Sequence, residues 1–392
     1  MVIQEQDVLA ASGQPIFFAL DPTRAAGLSR PRNLHGQSIR VWARSLSVMQ
    51  KEALVLSAHT GGAWRLASDE GPYLDGFDTA PCPLAFFSVG MVSAYMGELT
   101  ALAHGRGIPL RDVELVQDNY YTMEGSALRG TMTGGALPVE LEARIAAEAP
   151  EPLLRALVDR AIRAAPIAAL LEAACPSRFS LRRNGQPVGL EHAASLPPLE
   201  QPDPADTIAH LANAASPADL ELIRRVTAVA GIEGIAGGAH TSLAETQRRK
   251  LHLRVTCRPR DDGLLEVEQR LFNPLGSTFR FLCEGSATSG TPGRAPDALT
   301  YLAAGIAFCF MTQLGRYAKI VRKPLGTYNV IQDAHLPRSG QSAAEPIETH
   351  VYLATSADDA FTRQCVEMGE QTCFLHALCR TALSVGSRST RL

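Results

Sequence analysis

Two cysteines and a histidine carry most of the chemistry this sequence offers. Cys309 lies in "AAGIAFCFMTQLGRYA", residues 303–318, and Cys373 opens "CFLHALC", residues 373–379. His376 follows Cys373 by three residues and is its neighbour on a helix surface. A thiolate is a nucleophile and an imidazole is a base. The trio suits attack on an electrophile, or cycling between dithiol and disulfide. Cys309 stands about twelve residues into its helix, beyond the turn where the helix dipole acts strongly. A reactive thiolate there needs another positive group. The plainer alternative is that both cysteines, like Cys365 eight residues before Cys373, are small apolar core residues. A lone C-x-x-H with no second paired cluster argues against a metal site, so neither metal nor cofactor is expected.

The elements that must position these groups occur twice. "IRVWAR" at 39–44 returns as "LRVTCR" at 253–258, an offset of 214. Ala80, Pro81, Leu84, Gly90, Met96, Leu99 and Ala103 recur as Ala295, Pro296, Leu299, Gly305, Met311, Leu314 and Ala318, at an offset of 215. "PVE" at 138–140 matches "PIE" at 346–348 at an offset of 208. Such a period is too long for a solenoid and reads as two copies of one domain. Under this alignment Cys309 faces Ala94 and Cys373 faces Ala165. Both thiols belong to one copy and both are absent from the other, which a paired function explains more economically than two independent core substitutions.

Each copy has the same order of elements. Alternating segments such as "SIRVWARSLSV" and "LLEVEQRLF" predict half-buried strands. Helices follow at about 82–105 and 297–320, the latter with apolar residues at 299, 302, 306, 310 and 314. "DVELVQDNYY" and "VELEARIAA" in the first copy, and "TYNVIQDAHL" and "IETHVYLAT" in the second, predict further strands. The loop "PRSGQSAAEP" separates the last pair. Second helices are expected at about 151–172 and 358–383. Strands, helix, strands, helix is an α+β order. The expected organisation is an arm over 1–37, a domain lacking both cysteines over 38–190, a linker over 191–247, and a domain with the cysteine pair over 248–392. The linker is expected to hold a helix around "PADLELIRRVTAVAG".

Composition excludes little. A chain of 392 residues can hold two cores, and 46 % apolar with 20 % charged residues is ordinary globular composition. A formal net charge of -3 gives no reason to expect a nucleic-acid or anionic-membrane partner. No apolar run is expected to span a membrane. The N-terminus, with Glu5 and Asp7, does not read as a signal peptide. Eight cysteines without a secretion signal are expected to be cytoplasmic thiols.

The segment "APDALTYLAAGIAFCF" resembles the helix signature of the OsmC/Ohr family, and "QTCFLHALC" resembles the region of that family's second cysteine. In the first copy "AAPIAALLEAACPSRFSLRRNGQPV" resembles the latter region without the cysteine. The resemblance covers about 38–190 and 248–385. It implies two OsmC-like domains paired as an intramolecular pseudo-dimer, with central helices wrapped by antiparallel sheets. It also implies thiol-dependent reduction of organic hydroperoxides. Cys309 would be the attacking thiol and Cys373 the resolving one. Arg260, in "CRPRDDG", resembles the arginine that holds the attacking thiolate, and Asp297 occupies roughly the place of its partner acid. The plainer readings are a solvated turn residue for Arg260 and a helix N-cap for Asp297.

Three functions compete. The first is a two-cysteine peroxidase served by a thiol reductant. The second is a hydrolase or lyase acting on a small organic acid or thioester, with Cys309 as nucleophile and His376 as base. The third is a non-catalytic binding protein in which Phe86, Phe87 and Met91 fill a dead pocket. A small-molecule substrate is expected, with a monomeric pseudo-dimer or a homodimer as the assembly.

Overall fold

The computed structural model describes residues 6–31, 37–212, 220–228, 247–286, 289–337 and 345–392. The fold is mixed α and β, with two large sheets. The first sheet runs β1 (Phe18–Ala19), β4 (Ala63–Ser68), β3 (Lys51–Ser57), β2 (Ser38–Ser45), β14 (Thr327–His335), β15 (Glu348–Ala354), β8 (Arg178–Arg183) and β9 (Gln186–Val188). The second runs β10 (Ile223–Thr227), β13 (Thr278–Glu284), β12 (Leu264–Asn273), β11 (Gln247–Pro259), β5 (Leu110–Gly125), β7 (Val139–Ala147) and β16 (Val385–Arg391), with β6 (Thr133–Ala136) beside β5. Each sheet therefore combines strands from both copies of the repeat. β2 pairs with β14 and β11 with β5, both antiparallel. β15 pairs with β8 and β7 with β16, both parallel.

The helices are α1 (Val8–Ala11), α2 (Pro22–Ala25), α3 (Pro83–His104), α4 (Glu151–Ala164), α5 (Ala168–Glu172), α6 (Ala205–Ala212), α7 (Ala298–Ile320), α8 (Asp359–Thr372) and α9 (Phe374–Cys379). α3 and α7 pack on each other between the sheets; α7 lies on β2, β3 and β14, and α3 on β5, β11 and β12. Contrary to expectation, both are long and apolar enough to cross a membrane, with 78 % and 89 % of their most apolar windows buried inside the fold. A helix apolar all round is one buried on all sides. Phe86, Phe87 and Met91 are wholly buried here, with Phe86 edge-on to Phe281 at 5.5 Å.

Glycines set how closely the two helices cross. A Cβ on Gly90 would stand 2.4 Å from the Ala298 carbonyl oxygen, and one on Gly305 would stand 2.6 Å from the Phe87 nitrogen. These are equivalent positions in the two copies, and both meet backbone, which cannot rotate away. Gly305→Ala is expected to cost about 1–3 kcal/mol, as overpacking does, read as a lower urea midpoint.

The second helix of each copy breaks at equivalent points. Ala165 ends α4 with ψ 138°, and Cys373 ends α8 with ψ 121° before α9 begins. The continuous helices expected over 151–172 and 358–383 are thus two pieces each. The helix expected around 217–231 is also corrected. Its described part is strand β10, an outer strand paired with β13, and the helix of this region is α6. Sheet pairing overrides helical propensity there. Residues 217–219 and 229–231 of that segment, and 338–344 of the loop "PRSGQSAAEP", lie outside the described residues.

Strand exchange has a testable consequence. Residues 1–190 and 247–392 expressed apart leave β2 and β11 without their neighbours β14 and β5, exposing bare edges and apolar faces. Each piece is expected to aggregate or self-associate in size-exclusion chromatography. Two monomeric pieces, each unfolding cooperatively, would contradict this.

Candidate active site

Cys309, Thr312, Gln313 and Arg316 share one face of α7, as spacings of three, four and seven dictate. They line a cavity of about 340 Å³. Its apolar wall includes Leu84, Met123, Leu271 and Phe374. Cys309 is 2 % exposed, and Cys373 behind it is wholly buried and does not line the cavity. Of the two thiols, only Cys309 opens on the cavity.

The two thiols are close enough to shift each other's ionisation. The break between α8 and α9 places Cys373 against the middle of α7. The Gln371 side chain, donating 2.9 Å to the Met132 carbonyl, ties that break to the segment before β6. Burial pushes the Cys309 thiol well above its ordinary range, and sharing a proton with Cys373 adds to this. Burial opposes ionisation of Cys373 as well, but the Cys309 thiol and His376 together hold it well below the usual thiol range. The backbone N–H groups of Leu375 and His376 approach the Cys309 and Cys373 sulfurs respectively and favour their anions.

His376 is buried, edge-on to Phe179 at 5.1 Å and against Phe310 at 5.3 Å. Neither ring nitrogen has a geometrically formed hydrogen bond, so its effect on Cys373 is mainly electrostatic. It acts on Cys373.

The positive group near Cys309 comes from the first copy. Lys51 of β3 is wholly buried, and its ammonium donates to the Met49 carbonyl and, at 2.8 Å, to the Thr312 hydroxyl. Thr312 donates in turn to Glu70 at 3.2 Å, and Tyr73 donates to Glu70 at 2.7 Å. Burial lowers the Lys51 pKa and raises that of Glu70; their mutual attraction opposes both shifts. Asp69 holds the loop that carries Glu70, accepting from the Glu70, Phe77 and Thr79 N–H groups. Gln50 joins Asp69 to Asp7 and accepts from the Val8 and Leu9 N–H groups, so the arm buttresses this loop.

Arg260 and Asp297 are not brought to Cys309. Arg260 is 38 % exposed in the β11–β12 turn, paired with Asp262 and Glu266. Asp297 is the N-cap of α7, accepting from the Thr300 N–H at 2.8 Å, twelve residues before Cys309. Neither lines the cavity. The plainer readings of both describe what the structure contains.

The residues that sequence reasoning missed are Lys51, Glu70, Thr312, Arg316 and Arg249, together with Cys82, a second cavity thiol that burial pushes up to about 12. The repeat held a signal for three of them. Lys51 pairs with Ser45 and Ser68, and Leu265 pairs with Pro259 and Cys283 in the corresponding ladders. Leu265 thus replaces Lys51 at the other site. The same alignment sets Gly97 against Thr312 and Ala101 against Arg316. Wherever the cysteine is lost, its polar neighbours are lost with it.

Removal of the ammonium is a direct probe. Lys51→Met is expected to slow alkylation of Cys309 by iodoacetamide about tenfold or more, since each tenfold corresponds to one pKa unit of lost charge stabilisation. Lys51→Arg should retain most of the rate. Peptide mapping of the alkylated cysteine reads the effect. The chain matches no protein-family model and no curated protein sequence.

Proposed function

We propose that the chain is a thiol-dependent peroxidase that reduces organic hydroperoxides with Cys309 and Cys373, on two OsmC-like copies paired as the subunits of a dimer pair. The observation that carries this reading is the pair of thiols at one cavity, one facing it and the other wholly enclosed. A hydrolase needs a nucleophile and a base; it has no use for a second thiol in contact with the first. The pairing is supported by the exchange of strands between copies and by the crossing of α3 and α7 at equivalent glycines.

The steps follow from the charges. Cys309 passes its proton to the Cys373 thiolate and attacks one oxygen of the peroxide as a thiolate, beside the Lys51 ammonium. The O–O bond breaks, the proton held by Cys373 moves to the departing alkoxide, and an alcohol leaves. Cys309 is then a sulfenic acid and Cys373 a thiolate again. Cys373 attacks the Cys309 sulfur, a disulfide forms and hydroxide departs. A dithiol reductant returns both thiols by exchange.

One equivalent of tert-butyl hydroperoxide tests the reading. Two free thiols should vanish, with Cys309 and Cys373 recovered as a disulfide on peptide mapping. Retention of every thiol under conditions where Cys309 is alkylated would remove the peroxidase reading in favour of the hydrolase or lyase.

A further inference from the structure

Cys309 and Cys373 are closed off from anything large. Cys309 is 2 % exposed, Cys373 is wholly buried, and a protein dithiol is far larger than the cavity of about 340 Å³. Two further cysteines lie beyond them. Cys379 ends α9, the helix that Cys373 opens, and is wholly buried. Cys175 follows α5 and is half-buried, with exposed Ala174 and Pro176 on either side. The Cys175 N–H donates to the Cys379 carbonyl at 2.7 Å. In a strand pair, residues bonded in this way have Cα atoms about 5.5 Å apart, within the range a disulfide spans. Burial pushes the Cys379 thiol up, and Cys373 and then Cys175 add to the shift, so both lie close to it. None of these four cysteines is in a disulfide.

The repeat marks the same four positions. At the offset of 208 that sets Cys373 against Ala165, Cys379 faces Leu171 and Cys175 faces Leu383. The fold keeps this correspondence. The Leu383 N–H donates to the Leu171 carbonyl at 2.8 Å, the twin of the Cys175–Cys379 bond. One site thus has four cysteines where its twin has Ala94, Ala165, Leu171 and Leu383. Cysteine also packs as a small apolar residue, but that accounts for buried positions, and Cys175 is only half-buried.

We propose that Cys379 and Cys175 form a thiol relay that carries reducing equivalents from the surface to the Cys309–Cys373 disulfide, with Cys175 as the thiol that an external dithiol meets. The relay rests on the peroxidase reading for the disulfide it reduces. Cys379 attacks the Cys373 sulfur, the Cys309–Cys373 bond breaks, and the Cys379 proton passes to Cys309. Cys175 then loses its proton to solvent and attacks the Cys379 sulfur. The Cys373–Cys379 bond breaks, and Cys373 leaves as a thiolate. The disulfide now joins Cys175 and Cys379, and an external dithiol reduces it by exchange, leaving as its own disulfide. The direction has a cause. Against the cost of burial, Cys309 and His376 hold the Cys373 thiol well below its usual range. A stabilised thiolate leaves faster and makes its disulfide the stronger oxidant. Six residues of helix span about 9 Å, so the first exchange needs α9 to open. A six-residue helix has little stability of its own, and the chain is already extended at Cys373, with ψ 121°.

One equivalent of tert-butyl hydroperoxide is added to the reduced full chain, samples are trapped with N-ethylmaleimide at intervals, and the disulfides are mapped. The Cys309–Cys373 disulfide should appear first and give way to Cys175–Cys379. A second equivalent should raise the loss from two thiols to four. Cys175→Ser, at a half-buried position where serine fits, should hold a single disulfide. Cys309→Ser should form neither. A disulfide that stays at Cys309–Cys373, or Cys175–Cys379 formed by peroxide in Cys309→Ser, overturns the relay. Diamide, which oxidises thiol pairs without a peroxide, separates this result from failure of the peroxidase reading. Cys175–Cys379 formed by diamide while peroxide spares every thiol would remove the peroxidase reading and support the second pair. Cys309–Cys373 formed by peroxide with no transfer would keep the peroxidase and sink the relay.

Discussion

Cys309→Ser is expected to lower hydroperoxide turnover by about 10³ or more, to the level of the uncatalysed reaction with the reductant, because a serine hydroxyl cannot take up and release the peroxide oxygen as sulfur does. The fold should survive, since serine is close in volume and the site already holds polar neighbours in Lys51 and Thr312. The matching gain should fail. Ala94→Cys, even combined with Ala165→Cys, restores two thiols but leaves Leu265, Gly97 and Ala101 where the working site has Lys51, Thr312 and Arg316. A thiol buried among apolar groups keeps a raised pKa and stays protonated. Steady-state assays of the single and double variants with one hydroperoxide check both halves. Turnover retained in Cys309→Ser, or a second active site gained in the double variant, would contradict the assignment.

On the peroxidase reading, Cys373→Ser should convert the protein into a reagent that works once. Cys309 still meets peroxide from the cavity, but its sulfenic acid has lost the Cys373 thiol, and burial pushes the other cavity thiol, Cys82, up to about 12. Cys365 and Cys379 are buried, and their thiols are raised by burial. Successive equivalents of peroxide should drive Cys309 to sulfinic and sulfonic acid, adding oxygen in intact-mass spectra where the wild type only loses thiols. A second effect has the same origin. In the wild type Cys373 adds to the upward shift of the Cys309 thiol. Without it that contribution is lost, so the Cys309 value should fall and the first attack should be faster at neutral pH. The sign is fixed by deprotonation: the attacking species is the anion, so a lower value favours it. A variant that still cycles at the wild-type rate would show that another reductant reaches Cys309 directly.

The internal repeat was legible because its offset is nearly constant through β2, α3, β11 and α7, and backbone register preserves such offsets. The thiol pair was legible for the same reason, as a difference between copies. Arg260 and Asp297 both belong to the copy that carries the cysteines. The cation and acid near Cys309 arrive across the strand exchange, from β3 and the loop after β4 of the other copy. Lys51, in "MQKEALVLS", looks like a surface lysine at a strand start, and periodicity says nothing about what covers it. The strand β10 was read as helix because "LELIRR" carries helix formers, while the edge of β13 that it completes lies some fifty residues further on.

The sequence alone determined the α+β order, the two copies and the asymmetry in which Cys309 and Cys373 have alanine counterparts. These are local or periodic properties, written in side-chain spacing and recoverable without contacts. Tertiary structure decided which strands of the two copies share a sheet, that α7 rests on β3, and hence that Lys51, Thr312 and Glu70 meet beside Cys309. It also decided that Arg249 and Arg316 converge in one cavity. Charge proximity depends on distance through space, and here the partners are separated by up to 261 residues of chain. No spacing rule reaches across such a gap; only the packing of a helix from one copy on a sheet begun by the other brings these groups together.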